Sequence, residues 1–171
     1  MTREVRIQRV SSQTITRPAD TTAYASGDLV ANNVTAGSVT PFLFTGVARL
    51  MGYKSEIIRV GLRTNLALLA NGTFRVHFFS KAPTVTGGDN AALDVATNLD
   101  FHLGWQELVF SIIGTGQGSS GWSSPVAAVA PGSPILSSVD SQSVWALLEA
   151  RAAYVPASAQ TFKLFADVKQ Y

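Results

Sequence analysis

Hydrophobic and polar residues alternate at every second position along much of the chain, the period of a strand with one buried face. The clearest alternations are SEIIRVGLR at 55–63, TFRVHFF at 73–79 and QTFKLFADV at 160–168. A similar pattern in REVRIQRV predicts a first strand with Val5 and Ile7 on its buried side. Windows with the 3.6-residue period of an amphipathic helix are scarce, so the pattern predicts an all-β protein.

Within the 55–63 strand the alternation predicts that Ile58, Val60 and Leu62 face the core. WQELVFSII at 105–113 also has strand-like composition, whereas the Gly-rich segments at 83–93 and 114–125 are predicted loops. About eight strands separated by polar turns are typical of a β-sandwich with a jelly-roll-like arrangement, and that is the predicted fold.

Two stretches fit more than one structure. SVWALLEARAAYV at 143–155 is rich in helix-forming Ala, Leu and Glu, yet its residues also alternate, and Pro156 ends any helix there. The alternation favours a strand. NLALLA at 65–70 is compatible with a connecting loop, a strand or a helical turn.

Length and composition indicate one neutral domain. The 171 residues suit a single core, divided here into an N-terminal strand or arm at 1–13 and a β-sandwich domain at 14–171. Charged residues make up 14% of the chain, against roughly 25% in an average soluble domain. Low charge suits a surface that is buried against other subunits.

The same counts limit the location and the partners. A net charge of +2 without a long Lys/Arg run does not indicate nucleic-acid binding. The chain contains no cysteine and no stretch of about 18 apolar residues that would span a membrane. We therefore expect a soluble protein made in a reducing cytoplasm.

Residues suited to catalysis are few. His77 and His102 are the two histidines, neither lies in a recognisable nucleophile motif, and His77 is interpreted as a residue on a strand face. The carboxylates are scattered through turns. Asp89, Asn90 and Asp94 could offer oxygen ligands but lack the alternating spacing of a calcium loop. No catalytic residue, metal or cofactor is predicted.

A contact role is the remaining candidate. Four arginines, Arg3, Arg6, Arg9 and Arg17, accompany a single acidic residue in the first 17 residues. They form either an ordinary solvated strand or an arm that docks on an acidic partner. Trp122, set among Gly and Ser, is a candidate exposed contact residue.

Three segments carry a family resemblance. In this order, TITRPADTTAYASGDLVAN, NGTFRVHFFSKAPT with GGDNAAL, and LLEARAAYVPASAQTFKL resemble small virion-associated proteins of tailed bacteriophages. The resemblance spans most of residues 14–165. It implies a jelly-roll-like sandwich that decorates and cements the outer capsid, bound to the major capsid protein and to itself as a homo-oligomer, with a trimer expected. It transfers no catalytic residue.

Two alternatives remain open at this stage. The chain could be a tail, collar or head-fibre component of the virion, or a receptor- or carbohydrate-binding module that stacks sugars on exposed aromatic residues such as Trp122.

Overall fold

The computed structural model describes residues 5–50, 53–65, 72–111, 119–122, 135–137 and 141–171. Within these ranges the chain forms β-strands and two single-turn 3-10 helices, Ala36–Ser38 and Leu99–Phe101. The strands are β1 (Arg6–Thr16), β2 (Leu29–Val30), β3 (Phe42–Phe44), β4 (Lys54–Thr64), β5 (Thr73–Phe79), β6 (Thr84–Val85), β7 (Val95–Thr97), β8 (His102–Ser111), β9 (Ser119–Trp122), β10 (Ile135–Ser137), β11 (Val144–Ala150) and β12 (Thr161–Gln170). The predicted all-β class is confirmed.

Ten of these strands belong to one antiparallel sheet that curls back on itself. Its order is β10-β4-β12-β1-β3-β11-β5-β8-β9, β2 pairs with β11, and β9 pairs again with β4. This last pairing joins the two ends of the sheet, so the sandwich is a nearly closed, jelly-roll-like barrel, as predicted. Closure removes most of the unpaired strand edges through which β-proteins aggregate.

The main core fills the space inside the barrel. Phe44 and Phe78 lie with ring centroids 6.2 Å apart, and Phe74 and Phe162 lie 6.1 Å apart. All four rings are 0% exposed. Because fully burying such a side chain stabilises a fold by about 1.5–3 kcal/mol, the inner faces of the strands supply the main driving force for folding.

Strand β11 settles the ambiguity at 143–155 in favour of a strand. Ala146 and Leu148 face the main core. Leu147, on the opposite side of β11, packs with Leu29 and Phe79 in a second apolar cluster. A strand covered on both faces shows an almost continuous apolar sequence, and this explains why its composition also fitted a helix.

The predicted register is wrong in β1 and, in β4, at Ile58 alone, since Val60 and Leu62 are buried as predicted. In β1 the even-numbered Val10 and Ser12 face the core, so Ile7 lies on the outer side with 65% of its surface exposed and Val5 is 48% exposed. In β4 the pairing with β12 shifts between Arg59 and Ile57, which leaves Ile58 as an extra residue. This bulge places Ile57 in the core and turns Ile58 out of it.

Other boundaries also differ from the sequence prediction. Residues 119–122, expected in a loop, form β9 and pair with both β4 and β8. The division after residue 13 falls inside β1, which continues to Thr16 as part of the sheet. Most of the ambiguous 65–70 segment lies outside the described residues. In the part of the chain that the structure describes, no helix has the length and apolarity needed to cross a membrane.

Candidate functional site

The structure separates the five residues proposed as contacts. Arg3 lies outside the described residues. Arg6 and Arg9 are exposed on β1. Arg17 follows the end of β1 and is 2% exposed. Trp122 is the last residue of β9, where it pairs with Gly61 of β4.

Arg17 is therefore corrected from a contact residue to an interior one. Its Nε donates to the hydroxyl of Tyr24 at 3.0 Å, and its Nη2 donates to Asp89 Oδ2 at 3.1 Å and Asp20 Oδ1 at 2.9 Å. Its Nη1 donates to the carbonyl oxygens of Asp20 and Ala157. With these acceptors the guanidinium of Arg17 joins the end of β1 to three separate loops. Because it is buried, it presents no charge to a partner.

Contacts of the loop containing Asp89 fix the position of its carboxylate. A Cβ on Gly88 would overlap the backbone of Val34, so only glycine allows the two segments to approach so closely. The N–H of Asp89 donates to the carbonyl of Asn33 at 2.7 Å. Asp89 Oδ1 then accepts from the N–H of Ala31 at 2.8 Å and from the Tyr24 hydroxyl at 2.5 Å.

Burial shifts the pKa values of two groups in this network. Desolvation raises the pKa of Asp89 above its ordinary value, against the opposing effect of the donors from Ala31, Tyr24 and Arg17. Desolvation also raises the pKa of Tyr24. The network fixes the turn that follows β1. Its centre, Arg17, Tyr24 and Asp89, is buried, and Asp20 at its edge is partly exposed.

A charged surface lies on the outside of the neighbouring strands β1, β12 and β4. The register pairs Arg9 with Asp167 and Asp167 with Arg59, and a second row pairs Thr14, Lys163 and Arg63. Paired residues point to the same side of a sheet. We call this surface the basic face, and its charged residues are Arg9, Arg59, Arg63, Lys163, Lys169, Asp167 and Glu56. Of these seven residues, five are cations and two are carboxylates.

The centre of the basic face is a triad. Asp167 Oδ1 accepts from Arg9 Nε at 2.7 Å, and Asp167 Oδ2 accepts from Arg59 Nε at 2.8 Å. The bond from Arg9 is the largest of the effects that hold the pKa of Asp167 below its usual range. The side chains of Arg9 and Arg59 remain 52% and 38% exposed, so both guanidinium groups also reach solvent.

The next row of the basic face carries no acid. Lys163 and Arg63 are direct cross-strand neighbours. They line an open groove of about 400 Å³ together with Thr14, Thr64, Asn65 and Thr161. Like charges placed opposite each other on adjacent strands are unfavourable, so this row is best satisfied by a negatively charged partner.

The outer side of β11, β5 and β8 differs in charge balance. One row pairs Glu149 with Arg75 and Arg75 with Glu107, with an Arg75 Nη2 to Glu107 Oε1 distance of 2.6 Å. Arg151 Nη1 donates to Glu149 Oε1 at 2.9 Å. The adjoining rows contain both histidines, and we call this surface the histidine face. Its two arginines and two glutamates neutralise one another.

The fold brings the two histidines together. His77 Nδ1 lies 3.4 Å from His102 Nε2, and His77 Nε2 lies 2.9 Å from Glu149 Oε2. Burial lowers the pKa of His77 and of His102. His77 lies on the outward face of β5, as the alternation predicts. Among the described residues, no group of three or more His, Asp or Glu side chains is arranged to hold a metal ion.

The sequence contained a partial signal for these sites. The alternation in β12 places Lys163 and Asp167 on one outward face. The pairing of β12 with both β1 and β4, which gathers the other cations, joins residues more than 100 positions apart and has no local signature. The contact between His77 and His102 depends in addition on a bulge between Phe78 and Phe79.

Comparison with known proteins gives weak similarities. No protein-family model matches the chain, and no curated protein sequence matches it. Two virus structures are among the solved structures that the chain matches. One is Desmodium yellow mottle tymovirus, 11% identical, covering 99% of this chain and 89% of that one at a TM-score of 0.30. The other is a 60-mer BFDV capsid protein, 9% identical, covering 99% and 94% at a TM-score of 0.31.

A third similarity is to an enzyme. The catalytic domain of a GH87 α-1,3-glucanase in complex with nigerose is 12% identical and covers 89% of this chain and 29% of that one, at a TM-score of 0.17. At TM-scores of this size none of the three similarities establishes a common function.

Proposed function

We propose that the protein is a non-enzymatic structural protein of a tailed-bacteriophage virion, a decoration protein that binds the outside of the assembled head through its basic face. The observation that carries the proposal is the unbalanced charge of that face. Lys163 and Arg63 stand opposite each other with no acid beside them among the described residues, and Arg9 and Arg59 flank them on the same face with part of each side chain exposed. An acidic surface of the major capsid protein would complement this arrangement.

The rest of the molecule is compatible with that role. A barrel whose sheet returns on itself leaves few strand edges exposed, so many copies can lie side by side without edge-to-edge aggregation. Ile7, 65% exposed at the margin of the basic face, adds an apolar contact next to the charges. The sequence resemblance to phage virion proteins supplies the identity of the partner.

The proposed arrangement is an oligomer, with a trimer expected. Repeated weak contacts reinforce one another when they are linked by symmetry, and shallow charged faces gain affinity in this way. Arg6 remains a candidate for the same interface, because it is exposed and begins β1 next to Ile7. Arg3 remains a candidate from the sequence alone.

The test uses empty heads assembled from the major capsid protein of the phage that encodes this chain. Wild-type protein should sediment as an oligomer and should bind the heads in a fixed ratio. Reversing the charge of Arg63 and Lys163 together, R63E/K163E, should weaken binding by about 10-fold or more near 0.15 M salt. The binding of the wild type should also decline as salt rises, because surface charges are screened.

A matched control separates the basic face from net charge. Arg49 and Lys81 are exposed cations outside the basic face, and R49E/K81E changes the total charge by the same amount. We expect this control to bind heads like the wild type. Equal losses in both variants would show that binding follows net charge alone, and a wild-type protein that ignores the heads would overturn the decoration role. Binding to isolated tails instead would support the tail or collar alternative.

A further inference from the structure

The histidine face contains a pair of imidazoles whose geometry is suited to a metal ion. His77 and His102 are the chain's two histidines, separated by 24 intervening residues, and the pairing of β5 with β8 brings them together. His77 Nδ1 and His102 Nε2 are 3.4 Å apart. Their ring planes are inclined by 37°, with centroids 5.5 Å apart.

That separation matches two ligands of one tetrahedral cation. Zn²⁺ binds imidazole nitrogen at about 2.0–2.1 Å, and two such bonds at the tetrahedral angle place their nitrogens roughly 3.3–3.4 Å apart. A direct N–H to N hydrogen bond between the two rings would hold them at a similar distance. The hydrogen-bonded and the metal-bound arrangements differ in whether His102 Nε2 carries a proton.

The surroundings of His77 favour the metal-binding arrangement. Glu149 Oε2 lies 2.9 Å from His77 Nε2. A carboxylate accepts hydrogen bonds, so in the neutral ring the proton resides on Nε2 and the lone pair is on Nδ1, facing His102. Arg151 holds Glu149 in place at 2.9 Å. A carboxylate behind a ligating histidine is a common second layer of zinc sites.

We propose that His77 Nδ1 and His102 Nε2 form a binding site for a borderline divalent cation such as Zn²⁺, with Glu149 as the positioning carboxylate. The cation receives two protein ligands. Both rings are partly exposed on the outer side of the barrel, so water or a donor from another molecule completes the coordination. The charged groups around the pair, Arg75, Arg151, Glu107 and Glu149, balance to zero and leave the site accessible to a cation.

The composition of the chain makes the test direct. There is no cysteine and no third histidine, so no thiolate and no other imidazole competes with this pair for Zn²⁺. Calorimetric titration of the wild type with Zn²⁺ near neutral pH should give saturable binding with one ion per chain. His77→Ala and His102→Ala should each abolish it, and Glu149→Gln should weaken it by about 10- to 100-fold.

The control is Glu107→Gln, which removes a carboxylate from the same face that does not contact either imidazole. It should bind Zn²⁺ like the wild type. NMR of the wild type provides a second measurement, since Zn²⁺ should shift the ring signals of both histidines. Absence of saturable binding, binding that persists in folded His102→Ala, or Zn²⁺ uptake without movement of the histidine signals would each overturn the proposal. All three outcomes are independent of whether the protein binds capsids.

Discussion

Two arginine–aspartate contacts in this protein use the same chemistry in opposite environments. Arg17 and Asp89 have side chains that are 0% exposed, whereas Arg9 is 52% exposed in its contact with Asp167. Both arginines come from the same short N-terminal segment. The buried pair fixes a turn, and the exposed pair presents charge to the exterior.

The difference arises from what surrounds each charge. Burial of an ion pair removes water from both groups, so every remaining hydrogen-bonding site has to be filled by protein. Arg17 meets that requirement with Tyr24, Asp20 and Ala157. Asp167 binds two arginines whose side chains also reach solvent, so water meets part of their hydrogen-bonding demand. Position relative to the barrel therefore decides which arginine can take part in binding.

The largest expected effect comes from breaking the buried pair. Arg17→Met keeps the apolar stem of the side chain but leaves Asp89 buried without its cation, which should lower the free energy of unfolding by about 3–5 kcal/mol. Urea or guanidinium unfolding followed by tryptophan fluorescence measures this loss. Replacing both partners, Arg17→Met with Asp89→Leu, should cost less than the sum of the single changes. Strict additivity would show that the two residues do not interact.

A smaller effect is expected from the tyrosine that bridges the same pair. Tyr24→Phe removes a hydroxyl that donates to Asp89 and accepts from Arg17, and should cost about 1–3 kcal/mol of unfolding free energy. Tyr154 is the matched control, because its ring stacks on Tyr24 at 4.9 Å while its buried hydroxyl has no hydrogen-bond partner among the described residues. Tyr154→Phe should leave stability unchanged or raise it. Equal losses in the two variants would contradict the bridging role of Tyr24.

The sequence alone predicted the features that depend on residues close together in the chain, namely the strand alternation and the turns. The alternation in β5 and β12 survives in the fold because a strand presents every second residue to the core whatever its partner is. Asp20 and Asp28 cap nearby N–H groups, as turn residues do, at 3.0 Å to Thr22 and 2.6 Å to Ala25.

Features that depend on distant partners were not predictable. Arg17 is buried because Asp89, 72 residues away, reaches it across the barrel end. Ile7 is exposed because of the register in which β1 pairs with β12, and Ile58 is partly exposed because of the bulge in β4. A shift of one residue in register moves a side chain to the other face of a sheet. Gly87 and Gly88, just before Asp89, are a weak sequence signal that the backbone approaches another segment closely here. That the other segment is the backbone at Val34 could be seen only in the structure.

The exposed triad should contribute much less to stability than the buried pair. Arg59→Gln removes one of the two arginines bound to Asp167 and should change the unfolding free energy by roughly 0.2–1 kcal/mol. The change should shrink further at high salt, where surface charges are screened. Unfolding curves at low and high salt measure both quantities. A loss as large as that of Arg17→Met would mean that the triad is a structural element and not a surface available for binding.

The smallest expected effect is a difference in titration between Asp89 and Asp167, because their pKa values shift in opposite directions. The arginines lower the pKa of Asp167 below its unfolded value, so its stabilising contribution is present above the unfolded pKa and is lost as the pH falls through the folded pKa. Burial raises the pKa of Asp89, so ionised Asp89 opposes folding above its folded pKa, and this penalty disappears as the pH falls. Carboxyl carbon NMR shifts followed from neutral pH into the acid range should therefore show Asp89 protonating first and Asp167 last. The opposite order would contradict the assignment of one aspartate to a desolvated interior and the other to a cation-rich surface.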